Sequence, residues 1–218
     1  MKDVFQQSIA VLVVGLLTLA LLATGCSRDA AIDLESLAGR ARSGDRAAIV
    51  RLVELLARSD GKVAEQAYPA VVATGEQAIP ALLERIGTPD RQQREYVIAA
   101  LGSLKARQAV APIGMAVADW QREHRYVAAS APGEIGSDEG VPALLAALDD
   151  PNTEVRRYAT RALIKINRPA VGPLIEHLRS ATGESAAGAI RALGDIADPA
   201  ALDVLLEKAA GPQRGEAF

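Results

Sequence analysis

The 218-residue chain has a formal net charge of −3, and hydrophobic residues make up 50% of it while aromatic residues make up 3%. A chain without excess positive charge lacks the electrostatic footprint of a nucleic-acid-binding protein. With so few aromatic residues, the core has to be built from Ala, Leu, Val and Ile at close helix contacts. This composition argues against strands and predicts an all-α fold.

The N-terminal residues have the features of a secretory signal peptide. Lys2 supplies a positive charge ahead of the fifteen-residue apolar run Ile9–Ala23. This run is short for the roughly 20 residues that span a bilayer core, which favours a cleaved leader over an uncleaved anchor. Residues 1–25 are therefore predicted to be a signal peptide.

The end of this leader, Ala23-Thr24-Gly25-Cys26, resembles the lipobox of bacterial lipoproteins, with Ala23 where leucine is usual. The resemblance implies cleavage after Gly25 and lipidation of Cys26, the only cysteine of the chain. A lone cysteine in an exported protein can form no internal disulfide, so acylation gives it a role. In Gram-negative lipoproteins Ser at the next position, here Ser27, implies the inner leaflet of the outer membrane, facing the periplasm. Residues 26–31 would form a short tether.

Two series of residues recur at intervals of about 31 behind the leader. The alanines are spaced by 30, 31, 31 and 30 residues and the prolines by 32, 30 and 31. They are Ala70, Ala100, Ala131, Ala162 and Ala192, and Pro80, Pro112, Pro142 and Pro173. Since proline in the first turn costs no hydrogen bond, each proline marks the start of a first helix, and each small alanine marks a second helix.

The predicted elements follow this period in chain order. They are a capping helix around Leu34–Ala41, a first hairpin at Ala47–Leu56 and Lys62–Ala73, second helices at Arg94–Leu104, Arg125–Ile135, Val155–Ile166 and Ala186–Ile196, and a final unpaired helix at Leu202–Lys208. Pro69 interrupts the first hairpin. Pro132 is expected to kink the second helix of the third repeat or to end it early.

This pattern resembles the HEAT-like repeat of the phycobilisome-lyase type, an α-α hairpin of about thirty residues. The motif is visible in Val141-Pro142-Ala143-Leu144-Leu145, followed by Val155-Arg156-Arg157-Tyr158-Ala159. The resemblance implies an α-solenoid of about five HEAT-like hairpins with terminal capping helices over residues 32–211, and a C-terminal tail over residues 212–218.

Charged residues also recur with the period of the repeat. Five of them, here named the Arg–Asp ladder, are Arg94, Asp119, Arg125, Asp150 and Arg156. In HEAT-type repeats a turn aspartate and an early second-helix arginine form hydrogen bonds between neighbouring repeats, so the resemblance implies a structural role. A catalytic or anion-binding series is the alternative.

The densest basic sequence lies in the fourth second helix. Arg157, Arg161, Lys165 and Arg168, here named the basic strip, follow one another at i, i+4, i+8 and i+11. Second helices of solenoids generally line the concave wall that binds partners. The basic strip is either a solvated face or a docking site for an acidic protein segment or an anionic headgroup. Trp120 and Tyr126 are further candidates for partner binding, although Trp120 could equally cover a repeat junction.

No residue pattern predicts catalysis, a cofactor or a metal site. His124 and His177 lie far apart without a metal-ligand pattern, and no glycine-rich phosphate loop is present. We therefore expect a non-enzymatic lipoprotein that presents a HEAT-repeat surface to an envelope or membrane protein, as a scaffold or a peripheral subunit. Two alternatives stay open: a tetrapyrrole lyase-like or cofactor-handling enzyme, implied only by the family resemblance, and a structural spacer without a dedicated partner.

Overall fold

The computed structural model describes residues 33–57, 61–119 and 125–210, and of residue 119 it describes the backbone alone. These residues form twelve α-helices and no strand. None of the described helices combines the length and the hydrophobicity that a membrane crossing requires. The predicted signal peptide, Cys26 and the tail 212–218 lie outside the described residues.

The helices follow the predicted elements closely. In chain order they are α1 Leu34–Arg42, α2 Arg46–Leu55, α3 Gly61–Ala73, α4 Ile79–Arg85, α5 Arg91–Ser103, α6 Val110–Asp119, α7 Arg125–Ile135, α8 Val141–Leu148, α9 Thr153–Ile166, α10 Val171–Ser180, α11 Gly183–Ile196 and α12 Leu202–Ala210. Short 3₁₀ turns precede α4, α6, α8, α10 and α12. The even-numbered helices α2 to α10 are the first helices of five hairpins, and α3 to α11 are the second helices.

The five hairpins stack in sequence order. Within each hairpin the first and second helices contact each other, and each second helix packs on the next from α3 to α11. Contacts between consecutive second helices are more extensive than those between first helices, so the second helices form the more closely spaced layer. The expected all-α solenoid of five hairpins, with α1 and α12 at its ends, is confirmed.

Local sequence chemistry explains where the helices begin. The four repeated prolines all lie in the first turn of a first helix, where the missing N–H costs nothing. Two second helices, α5 and α9, begin with a side-chain cap: the Asp90 carboxylate accepts a hydrogen bond from the Gln93 N–H at 2.6 Å, and Asn152 Oδ1 accepts one from the Glu154 N–H at 2.8 Å.

The second helices approach one another through small residues. Ala100, Ala131, Ala162 and Ala192 are at most 2% exposed, whereas Ala70, in the degenerate first hairpin, is only half-buried. The closest approach is at Gly133 in α7. A Cβ atom placed there would lie 2.5 Å from the Cα of Ala162 in α9.

Neither proline within a second helix interrupts its helix. Helix α3 continues through Pro69 to Ala73, and α7 continues through Pro132 to Ile135. Of the two outcomes predicted for Pro132, the early end was wrong and the kink stays a prediction. Packing compensates for the lost hydrogen bond at Pro132, which is buried. The neighbouring turn makes room for its ring, because a Cβ at Gly140 would lie 2.6 Å from the Cβ of Pro132. Tertiary contacts thus outweigh the local preference.

Candidate partner-binding surface

The basic strip lies on the exposed side of α9 and the turn after it. The buried side of α9 is the expected apolar stripe of Val155, Ala159, Ala162, Leu163 and Ile166, each at most 6% exposed. The four basic residues are all exposed, including the Arg157 side chain at 49% and the Arg168 side chain at 86%. This is the amphipathic division that the spacing predicts.

Most charges of the basic strip have an acidic partner. Arg157 Nη2 pairs with Glu154 Oε2, and Arg168 Nε lies 3.8 Å from Asp198 Oδ2. Lys165 Nζ pairs with Glu134 Oε1 on the neighbouring helix α7. Among the described residues, no carboxylate lies within ion-pair distance of Arg161, whose guanidinium lies 5.8 Å from the centre of the Tyr158 ring. The positive charge of the basic strip is therefore partly neutralised. Arg161 is the member of the strip whose charge is least neutralised.

Four tyrosines, here named the tyrosine row, lie on four consecutive second helices, one on each helix. They are Tyr68 on α3, Tyr96 on α5, Tyr126 on α7 and Tyr158 on α9, and they are all the tyrosines of the sequence. The rings of Tyr68 and Tyr96 have centroids 5.7 Å apart, and those of Tyr126 and Tyr158 have centroids 5.1 Å apart. All four side chains are half-buried. Sequence reasoning singled out only Tyr126, although intervals of 28, 30 and 32 residues were a signal for the whole row.

The surroundings of Tyr96 and Tyr126 disfavour ionised phenols. Partial burial raises the pKa of Tyr96, and the carboxylates of Glu65 and Glu95 raise it further. Partial burial likewise raises the pKa of Tyr126, with a further contribution from Glu95. At neutral pH the phenols of Tyr96 and Tyr126 keep their protons and can both donate and accept hydrogen bonds.

These raised pKa values predict a loss of stability at high pH. Because the folded state holds the phenolic proton more tightly than the unfolded state, the stabilisation is complete below about pH 10 and is lost as pH rises through the raised pKa. We expect the free energy of unfolding to fall less between about pH 9 and about pH 11 when Tyr96 and Tyr126 are both replaced by Phe. Urea unfolding at the two pH values measures this, and an identical fall in both proteins would contradict it.

A groove separates the second helices α9 and α11. Its volume is about 350 Å³, and four arginines line it: Arg156, Arg157, Arg161 and Arg191. Ala187 and Gly188 lie on the α11 side of the groove. Glu184 and Asp195 also line it, so arginines outnumber carboxylates. Arg157 and Arg161 were predicted from the sequence as candidate contact residues, whereas Arg191 was not, because it belongs to a different repeat.

Arg125 and Asp150 of the Arg–Asp ladder form a well-defined inter-repeat pair. Arg125, at the start of α7, binds the Asp150 carboxylate of the next repeat through both of its terminal nitrogens, with Nη2–Oδ1 at 2.9 Å. The two side chains are 16% and 8% exposed. Asp150 Oδ1 also accepts a hydrogen bond from the Asn152 N–H at 2.8 Å. The pair joins the third repeat to the turn that starts the fourth second helix.

The other ladder arginines bind backbone carbonyls in the turn of their own repeat. Arg156 Nη1 donates to the Asp150 carbonyl at 2.8 Å, and Arg94 Nη1 donates to the Thr88 carbonyl at 2.9 Å. Arg156 therefore binds the backbone carbonyl of Asp150 and not its carboxylate. Burial lowers the pKa of Arg94, but its guanidinium keeps its charge at neutral pH.

Several candidate residues cannot be placed on this surface. The side chain of Asp119 and the whole of Trp120 and His124 lie outside the described residues. His177 joins the two helices of the fifth hairpin, with Nε2 2.9 Å from the Ser185 hydroxyl. In the part of the chain that the structure describes, no three His, Cys, Asp or Glu residues are grouped so that they could hold a metal ion.

The architecture and this surface define a class of protein, the helical-hairpin repeat proteins in which consecutive second helices present side chains on one wall. The family model for HEAT repeats matches residues 79–151, 115–186 and 141–216. These matches cover more than half of the chain, which therefore belongs to the HEAT repeat family.

Two solved structures match much of the chain at low sequence identity. The complex of CpcE and CpcF of phycocyanin lyase from Nostoc sp. PCC7120 matches with 23% identity and a TM-score of 0.48, over 82% of this chain and 76% of that chain. The crystal structure of an engineered protein matches with 21% identity and a TM-score of 0.44, over 77% and 93%. A comparison with curated proteins found no match. The family assignment rests on the HEAT repeat matches.

Proposed function

We propose that this chain is a lipid-anchored bacterial envelope protein that binds another protein through the wall of its second helices. The observation that carries this proposal is the combination of the tyrosine row with the arginines around α9 and α11. Tyrosine and arginine are the residue types, with tryptophan, that supply most binding energy in protein interfaces. On this wall they are partly exposed and are held in place by ring contacts and regular helices.

The location is proposed from the leader. The charged start, the apolar run and the lipobox-like sequence before Cys26 support export and acylation. Multiple acyl chains on one cysteine give stable membrane anchoring, unlike a single chain. With the six residues 26–31 as tether, the repeat array would stay close to the membrane, on the periplasmic face of the outer membrane if Ser27 acts as the sorting residue.

A role in binding is favoured over a role in catalysis. His177 is the only histidine among the described residues, and its hydroxyl partner Ser185 is 7% exposed, which is a poor position for a catalytic nucleophile. The lyase-like alternative requires a different cellular location. A cytoplasmic chain with an unmodified Cys26 thiol would favour that alternative over the proposal.

Processing of the leader tests the anchor. Intact mass spectrometry of membrane-extracted protein should show a chain that begins at Cys26 and carries acyl mass, because the lipobox-like sequence directs modification before cleavage. The Cys26→Ser variant should accumulate as an unprocessed precursor. A wild-type chain that retains residues 1–25 and an unmodified thiol would contradict the proposal.

Affinity purification from detergent-solubilised membranes tests the binding wall. We expect a specific protein to co-purify with the wild-type chain and to be lost from the double variant Tyr96→Ala/Tyr126→Ala. The matched control is Met115→Ala on the first helix α6, which removes a side chain that is 67% exposed on the other helix layer. Circular dichroism confirms that each variant folds. If no protein depends on the tyrosine row for recovery, the chain is a spacer and the proposal is wrong.

A further inference from the structure

The α11 side of the groove has two small residues, Ala187 and Gly188, among the charged residues Glu184, Arg191 and Asp195. Gly188 faces α9 so closely that a Cβ atom there would lie 3.0 Å from Thr160 Oγ1. Its neighbour Ala187 is exposed and contributes only a methyl group to the lining. A volume of about 350 Å³ is at the lower end of the range of ligand sites and suits one or two side chains of an extended peptide.

Two of the four groove arginines are already engaged. Arg157 pairs with Glu154, and Arg156 donates hydrogen bonds to the carbonyls of Asp150 and Pro151. Arg161 and Arg191, by contrast, have no ion pair or hydrogen-bond partner among the described residues, and both are exposed. The groove therefore presents two free guanidinium groups, one from each of its walls.

The chemistry of these two groups indicates the ligand. Guanidinium groups bind carboxylates through paired N–H donors, and they do so more strongly where part of the surrounding water is excluded. The groove lining also includes the apolar side chains of Ile164 and Ala187. An acidic side chain with a neighbouring apolar group complements both features.

We infer that the groove between α9 and α11 binds an acidic, extended segment of the partner protein, with a carboxylate between Arg161 and Arg191. This inference rests on the proposed function and identifies the chemistry of its partner. It replaces the basic strip as the docking site: Lys165 and Arg168 remain paired with Glu134 and Asp198, and Arg161 is the member of the strip that contacts the partner.

Peptide binding to the full-length chain in non-ionic detergent tests the inference. The probes are a fluorescein-labelled decapeptide of alternating Glu and Ala and the same peptide with Gln in place of Glu, measured by fluorescence anisotropy. We expect the Glu peptide alone to bind, and its affinity to fall about 10-fold or more in the double variant Arg161→Gln/Arg191→Gln. Added salt should weaken binding as well, because these charges are exposed and screened.

Two further variants distinguish binding in the groove from a general effect of net charge. Arg107→Gln/Arg179→Gln removes the same net charge from exposed positions outside the groove and should leave the affinity within about twofold. Ala187→Leu adds no charge but fills the groove at an exposed position, and it should weaken binding about as much as the arginine variant. Melting temperatures of all variants should stay close to that of the wild type.

Other outcomes would overturn the inference. Equal binding of the Gln peptide, or unchanged affinity in the Arg161/Arg191 variant, would show that the groove does not recognise carboxylates. Displacement of the Glu peptide by phosphatidylglycerol vesicles, with Arg161/Arg191-dependent vesicle binding stronger than peptide binding, would assign the groove to a lipid headgroup instead. In each case, co-purification that still depends on the tyrosine row would leave the proposed function intact.

Discussion

Replacement of Gly133 by alanine is expected to destabilise the repeat array by about 2–3 kcal/mol, which corresponds to a fall of several degrees in melting temperature. A new Cβ would lie 2.5 Å from the Cα and 2.8 Å from the Cβ of Ala162. The atoms in the way include helix backbone, which cannot rotate aside as a long side chain can. Helices α7 and α9 would have to separate, and the tightest contact between second helices would be lost.

Two matched glycine substitutions isolate this effect. At Gly102 a Cβ would meet Ala131 at 3.5 Å, an ordinary van der Waals distance, and at Gly194 it would meet nothing within 4 Å. Both glycines lie within second helices, where alanine is preferred by about 0.5–1 kcal/mol. Gly102→Ala and Gly194→Ala should therefore be neutral or stabilising. Chemical denaturation measures all three variants, and a Gly133→Ala protein as stable as Gly194→Ala would refute the assigned contact.

Removal of either member of the Arg125–Asp150 pair is expected to cost about 2–4 kcal/mol. The pair is bidentate and little exposed, so each single substitution leaves a charged group without its partner in a poorly hydrated position. Loss of Asp150 also removes the hydrogen bond from the Asn152 N–H, at the turn that starts α9. The Arg125→Lys variant should recover only part of the loss, because an ammonium group cannot reproduce two parallel hydrogen bonds.

A double-mutant cycle measures how much of the lost stability comes from the interaction between Arg125 and Asp150. Arg125→Ala/Asp150→Ala should be more stable than the sum of the single effects predicts, with a coupling energy of about 1 kcal/mol or more. Arg157→Ala is the exposed control, because its partner Glu154 lies on the same helix and both side chains are 49% exposed. It should cost within about 0.5 kcal/mol. Additive effects of the two substitutions, or a loss at Arg157 equal to that at Arg125, would contradict the pairing.

The repeat period of the sequence was sufficient to predict the architecture of the protein. First-turn prolines, buried alanines and the apolar stripe of α9 are encoded within a single repeat, so each can be recognised from nearby residues. The two internal prolines show the limit of such local rules. Pro132 breaks the pattern of its own helix, yet α7 continues to Ile135 because the surrounding repeats hold the proline ring.

The arrangement of the candidate partner-binding surface depends more on contacts between repeats than the architecture does. The sequence placed Arg157, Arg161, Lys165 and Arg168 on one exposed face, but it could not show that Glu134 neutralises Lys165 from a helix 31 residues earlier. Nor could it show that Arg191 and Arg161, from different repeats, line the same groove. Periodicity determines which side of a helix is buried, because that property depends on spacing along one helix. Which exposed charges meet depends on the separation and rotation of neighbouring helices, and only the packed structure decides those.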